Sequence, residues 1–240
     1  MQGFREPEDH PVILSDEEIT VRQLSPEHFR IAALLLHTRG YVVLKHALPL
    51  AVAEAACRHF SAIFNDCVAS KTGDGWYQVA RDTQAVFWER NHRWRIFPKL
   101  RPPISDPWIL ANPFAIALLR FLLGEHFYCK FVSSDTVVRG AVIQSPHREL
   151  GAGRSWQPRT YVVNVPLGVS GLENGPLEIW YGGSHLWRSD LLRELSFDDD
   201  VQDGRNADAE AFARLFPSRR LVLEPGDVLI RDPGLLHRGT

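Results

Sequence analysis

The run GAVIQSPHREL, from Gly140 to Leu150, is where the fold is decided. It opens as a short apolar strand and turns at Ser145–Pro146. It then sets His147 and Glu149 two residues apart, which in extended backbone is the same side of the chain. One imidazole nitrogen and one carboxylate oxygen can therefore reach a common ion. The triplet alone carries no weight. With 10 histidines and 29 acidic residues among 240 positions, about one His-x-Asp/Glu arises by chance. Its surroundings have to decide.

Two ligands hold an ion poorly, and a third must come from a strand that the fold lays alongside. His237 is the candidate. It lies near the end of LEPGDVLIRDPGLLHRG, Leu223 to Gly239, whose Pro-Gly and Asp-Pro-Gly steps mark turns around a strand. Two histidines and one carboxylate on one face leave the opposite face open to other ligands, an arrangement that suits non-haem iron(II).

The flanking sequence has two characters. After Gly124 come FYCKFVSSDTVV, GAVIQ, RTYVVNVPL, GPLEIWY, RRLVLE and DVLIRD, short β-branched and aromatic segments punctuated by Gly, Pro and Asn. Such spacing predicts a sandwich or barrel. Before Gly124 the chain reads mostly helical. SPEHFRIAALLLHTRG has Ser25 as N-cap and Gly40 as stop, YVVLKHAL is a short strand, and Leu48–Asp66 and Ser105–Leu123 carry helical apolar spacing. Residues 71–103 read as irregular and rich in Arg and Trp. Residues 186–219, with an acidic patch and the amphipathic run AEAFARLF, read as an insertion between strands. The expectation is one domain over 1–240, helical to about 124 and β from about 125.

Bulk properties exclude several classes. A net charge of −2 and a pI near 6.6 offer nothing to nucleic acid or an anionic membrane. No apolar run has the roughly 18–20 residues of a spanning helix, and the charged, proline-broken N-terminus is no secretory signal. Cys57, Cys67 and Cys129 are an odd number without metal-site spacing, which predicts reduced thiols in a cytoplasmic protein. The expected partner is a small-molecule substrate, and the chain is expected to be a monomer or a homodimer.

Four pieces, in order, resemble the phytanoyl-CoA dioxygenase family of iron(II)/2-oxoglutarate oxygenases. They are Gln144–Glu149, then YVVNVPL, then Glu173–Leu177 with Gly183-Ser184-His185, then Pro225-Gly226-Asp227 leading to His237-Arg238-Gly239. The resemblance implies a double-stranded β-helix, a distorted cupin-like jelly roll in a mainly β, α+β chain, with the N-terminal helices on one face. It also implies that His147, Glu149 and His237 ligate Fe(II), with 2-oxoglutarate and O2 as cosubstrates. Oxidative decarboxylation of 2-oxoglutarate to succinate and carbon dioxide would drive oxidation of a C–H bond. Glu149 stands where the family usually has aspartate, and a carboxylate there argues against a halogenase. The family usually carries an arginine about ten residues beyond the distal histidine, paired with the far carboxylate of 2-oxoglutarate. Thr240 comes first, so either the C-terminus is truncated or another arginine substitutes, for which Arg159 is the candidate. Gln144 and Asp135 are further cosubstrate-facing candidates. Arg93 and Trp94 are candidates for a substrate rim, suited to an anionic substrate. His185 reads as a turn residue near the site in preference to a fourth ligand. The function expected is dioxygenation of a small organic molecule. The alternatives are a non-catalytic binding protein of the same fold and a cupin-like metalloenzyme that does not use 2-oxoglutarate.

Overall fold

The computed structural model describes residues 11–149, 160–186 and 207–240. The chain opens with β1 (Val12–Ile13) and α1 (Asp16–Val21), then α2 (Pro26–Arg39), β2 (Tyr41–Lys45) and α3 (Leu50–Ser70). Next come β3 (Gln78–Val79), β4 (Val86–Arg90), β5 (Arg93–Phe97), α4 (Pro107–Leu110), α5 (Pro113–Leu123) and β6 (Ser134–Val137). The last part carries β7 (Val162–Asn164), β8 (Leu177–Ile179), α6 (Ala207–Ala213), β9 (Arg219–Arg220), β10 (Val228–Arg231) and β11 (His237–Gly239). No helix among the described residues is long and apolar enough to cross a membrane.

Three sheets result, ordered β1-β2-β10-β7, β11-β8-β9 and β3-β4-β5-β6. The first has two buried faces. Val42, Leu44, Val228 and Ile230 pack outward against Ala32 and Leu36 of α2 and Phe114 and Leu118 of α5. Tyr41, Val43 and Leu229 face inward and meet Ile179 of β8 together with Leu221, Leu223 and Leu235. This explains the continuous apolar reading of β2 and β10: a strand covered on both faces does not alternate. The third sheet is covered by α3, whose Ile63 and Cys67 pack on Phe87, Trp94 and Ile96.

The helix of residues 25–40 forms as expected, with Ser25 Oγ accepting from His28 N and Gly40 N donating to Leu36 O at 3.1 Å. Gly40 is dictated twice. Its φ of +78° is left-handed, and a Cβ there would lie 2.6 Å from His185 Nδ1. The run AEAFARLF supplies α6, while residues 187–206 of the expected insertion lie outside the described residues.

Three expectations are corrected. Residues 71–103 are not irregular but hold β3, β4 and β5. The β4–β5 turn is Asn91–His92, both with positive φ (55° and 63°), so a primed hairpin turn is built without the glycine that usually announces one. The single helix expected over 105–123 is two. Pro113 cannot continue α4, and Asn112 caps a new helix by accepting from Ala115 N at 3.2 Å. Of the segments FYCKFVSSDTVV and GAVIQ, the first contributes only β6 and the second no strand, and the chain next pairs through one isolated bridge at His147.

Glu18 joins α1 to α2. It closes a capping box with Ser15, accepts from Ser25 N at 2.7 Å, and meets His28 Nδ1 at 2.9 Å. Burial acts against its charge, but hydrogen bonds from Ser15 and Ser25 prevail and bring its pKa down to about 2 from 4.5. A depressed carboxylate stabilises the fold above its unfolded pKa and loses that contribution as pH falls through the folded one. Glu18→Gln is therefore expected to cost about 2 kcal/mol at pH 7. In urea titrations the difference from wild type should shrink between pH 4.5 and about 2; a difference constant over that range would refute the assignment.

Candidate metal centre

The two histidines are brought together by backbone pairing. His147 N donates to His237 O at 2.9 Å and His237 N donates to His147 O at 3.0 Å, an isolated antiparallel bridge between residues 90 apart in the chain. Their rings lie 4.5 Å apart, centroid to centroid. Glu149 follows on the same segment, its N donating to Pro233 O at 3.0 Å. One ligand atom from each of His147, Glu149 and His237 falls within 4.8 Å of the others, and no other such group occurs among the described residues. His147 and His237 are buried, while the Glu149 side chain is 39% exposed.

The turn that delivers His237 is built from Asp232-Pro233-Gly234. Asp232 Oδ1 accepts from Gly234 N at 2.7 Å, and Leu235 N donates to Asp232 O at 3.0 Å. Burial raises the Asp232 pKa above its ordinary value. From the loop before His147, Gln144 clamps β11: its N donates to Gly239 O at 3.0 Å, and its Oε1 accepts from Gly239 N at 2.9 Å.

Tautomers follow from the partners. His147 Nδ1 faces Ser145 O at 2.9 Å and His237 Nδ1 faces Leu235 O at 2.8 Å. A carbonyl can only accept, so each Nδ1 carries the proton and each Nε2 keeps its lone pair. Burial lowers both histidine pKa values, that of His237 to about 3, so both rings are neutral at pH 7. The Arg231 guanidinium, which donates to Glu149 Oε1, holds that carboxyl below its ordinary range. His237 Nε2 then confronts Glu149 Oε1 at 3.4 Å, lone pair against carboxylate oxygen. Two acceptors so placed repel each other unless a cation lies between them. A donor set of two neutral imidazoles and one carboxylate, each imidazole oriented by a backbone carbonyl, fits a first-row divalent metal.

The remaining sequence candidates separate. Arg93 reaches the backbone of β11. Its Nη2 donates to Gly239 O at 3.0 Å, its Nε and Nη2 also donate to Val142 O, and its side chain borders Gln144. Trp94 is not a rim residue. The alternation of β5 turns it to the opposite face, where it is 6% exposed and packs on Phe64 and Phe87 with centroids 5.4 and 5.7 Å away. Asp135 is exposed and pairs with Arg95 at 3.2 Å, on the Arg93 face of the sheet, and its charge is felt at His147. His185 lies in a 3-10 turn, Ser184–Leu186, where its Nε2 donates to His37 O at 3.0 Å, and it is not a member of the ligand cluster. Arg159 lies outside the described residues.

Sequence reasoning missed Arg231 and Asn164. Arg231 ends the strand Val-Leu-Ile-Arg with its side chain 5% exposed, and its Nη2 donates to Glu149 Oε1 at 3.1 Å. Its Nε reaches Asn164 Oδ1 at 3.4 Å. The available signal was a charged residue closing an otherwise wholly apolar strand, six positions before His237.

The sequence profile described as Phytanoyl-CoA dioxygenase (PhyH) matches residues 36–240. The chain belongs to the PhyH family. Solved structures agree on the fold. The non-haem α-ketoglutarate-dependent epimerase SnoN of nogalamycin biosynthesis aligns with a TM-score of 0.58 at 15% identity, over 90% of this chain and 76% of that one. AviO1 from Streptomyces viridochromogenes Tue57 aligns at 0.56 and 19% identity, over 88% and 86%. EctD from S. alaskensis with bound Fe aligns at 0.56 and 16%, over 90% and 71%. At these identities the likeness is one of fold, and this PhyH chain shares with those proteins a mixed arrangement of several sheets and helices.

The glycine of His237-Arg238-Gly239 is explained by close approach. A Cβ there would lie 2.5 Å from Arg93 Nη1 and 2.8 Å from Gln144 Oε1. Gly239→Ala in this PhyH protein is expected to cost about 1–3 kcal/mol in urea unfolding. It should cost less in an Arg93→Ala background; equal costs in the two backgrounds would show that the contact does not matter.

Proposed function

We propose that this PhyH-family chain is an iron(II)- and 2-oxoglutarate-dependent oxygenase that oxidises a C–H bond of a small organic molecule. One observation carries the reading. Two tautomerically oriented imidazole Nε2 atoms converge with one carboxylate on a point that is repulsive without a cation. Family membership supports it, as does a solved SnoN complex with Fe3+, α-ketoglutarate and nogalamycin RO, of which this chain covers 78%. In this reading the two facing sheets are the halves of a double-stranded β-helix and α2 and α5 form its outer cover.

His147, Glu149 and His237 would hold the metal, leaving one face of it open. When bound, the ion with 2-oxoglutarate and dioxygen supplies an oxidant strong enough to take hydrogen from carbon. The chain's own residues do the rest. The carbonyls of Ser145 and Leu235 fix the imidazoles, so neither ring turns when a ligand exchanges. The apolar layer between the sheets excludes water behind His237. In this reading Arg93, on the flank of β11, would hold an anionic portion of the substrate, and Gln144 keeps that flank in register. Asp135 is exposed and pairs with Arg95.

The test is anaerobic calorimetry of Fe(II), then of 2-oxoglutarate, followed by succinate measurement after oxygen is admitted. Wild type is expected to bind one metal and then one 2-oxoglutarate, and to release succinate. His147→Ala and His237→Ala should weaken metal binding by more than ~100-fold. Tight metal binding with no 2-oxoglutarate binding would turn the assignment to a metalloenzyme of another kind. No metal binding would overturn it.

A further inference from the structure

Arg231 brings a charged side chain, 5% exposed, beside the ligand cluster. Its strand pairs with β2 and β7, which leaves the guanidinium little freedom to move. Two of its three nitrogens are engaged, Nη2 by Glu149 Oε1 and Nε by Asn164 Oδ1. Nη1 is buried and meets no hydrogen-bond acceptor among the described residues. A guanidinium does not surrender its proton, so this donor cannot be silenced by deprotonation. A buried, unsatisfied, charged donor is costly and calls for a partner that arrives from outside.

Charge and reach identify the partner. Arg231 and Glu149 pair and cancel, and Asp135 is tied to Arg95. A divalent ion at the centre would leave two positive charges uncompensated, which favours a dianion. The donor is on the same guanidinium that touches Glu149, so the acceptor it meets must also be close to the ion. That position suits a carboxylate bound directly beside the metal rather than the far end of a long diacid.

Glu149 needs the same residue for another reason. Its arm is one methylene longer than aspartate's and is partly exposed, so it has rotamers that miss the ion. The Nη2 contact selects one of them.

We propose that Arg231 positions Glu149 through Nη2 and receives, through Nη1, a metal-proximal carboxylate of an α-oxo or α-dicarboxylic acid. The assignment rests on the metal-centre reading above and adds to it a group six residues before the distal histidine.

The test uses oxalate as probe, because it carries the metal-proximal carboxylates and no distal one. Full-length Mn(II)-loaded wild type, Arg231→Gln and Arg231→Lys are titrated with oxalate and separately with 2-oxoglutarate, and Mn(II) affinity is measured for each. The expected result is an oxalate Kd weakened by on the order of 10- to 100-fold in Arg231→Gln, the range of a lost charge-assisted hydrogen bond. Arg231→Lys should recover part of it, and the Mn(II) affinity should change less than the oxalate affinity. If Arg231→Gln loses Mn(II), the comparison of wild type with Arg231→Lys decides: unequal oxalate binding supports the assignment and equal binding overturns it. Equal binding of both acids by wild type and Arg231→Gln overturns the Arg231 assignment and leaves the oxygenase reading standing. Arg231-dependent oxalate binding without any 2-oxoglutarate binding does the reverse. Wild type that holds Mn(II) but binds neither acid overturns the assignment.

Discussion

Two reciprocal hydrogen bonds between the backbones of His147 and His237 are the constraint on which the centre depends. They make a bridge of a single residue pair, with no ladder around it, between a loop and the last strand. Such a bridge is weak alone, since each bond is worth about 1 kcal/mol net. It survives because both sides are held elsewhere. Gln144 grips Gly239 with backbone and side chain, and the Asp232–Leu235 turn fixes the approach to His237. Each imidazole then leans on the carbonyl two residues before it, so the same local device is used on both strands.

The layers outward from that bridge are arranged to keep it from moving. β10 carries apolar side chains to both sides, binding α2 and α5 behind it and β8 in front. Its final residue, Arg231, is the only departure from that pattern, and it is the one that touches Glu149. A buried ion pair contributes little to stability and can cost some. Its presence on the best-packed strand of the molecule is therefore better understood through the centre it serves than through the fold.

The third sheet joins the same logic from the other side. Strand β5 divides its residues strictly by parity: Trp94 and Ile96 go to the core under α3, while Arg93 and Arg95 go to the face that meets β11 and Asp135. The stretch was opaque in sequence because its buried face includes Glu89 and its hairpin turns at Asn91–His92, so neither the alternation nor the turn had the usual residues. Trp94 and Arg93 are adjacent, and linear proximity placed them together on a rim. The strand's period of two separates them.

Local chemistry determined a good deal. Ser25 and Gly40 bounded α2, the Asp-Pro-Gly step set up the turn before His237, and the His-x-Glu spacing put two ligands on one side of one segment. All of these are interactions within a few residues, which sequence encodes directly. What no local rule contains is which distant segments meet. The pairing of residue 147 with 237, the approach of Arg93 to Gly239 and the insertion of Arg231 beside Glu149 depend on how three sheets stack. That stacking is decided by the summed burial of apolar faces far from the centre, so the third ligand could be nominated from the sequence, but the arginine that supports the carboxylate could be found only in the folded chain.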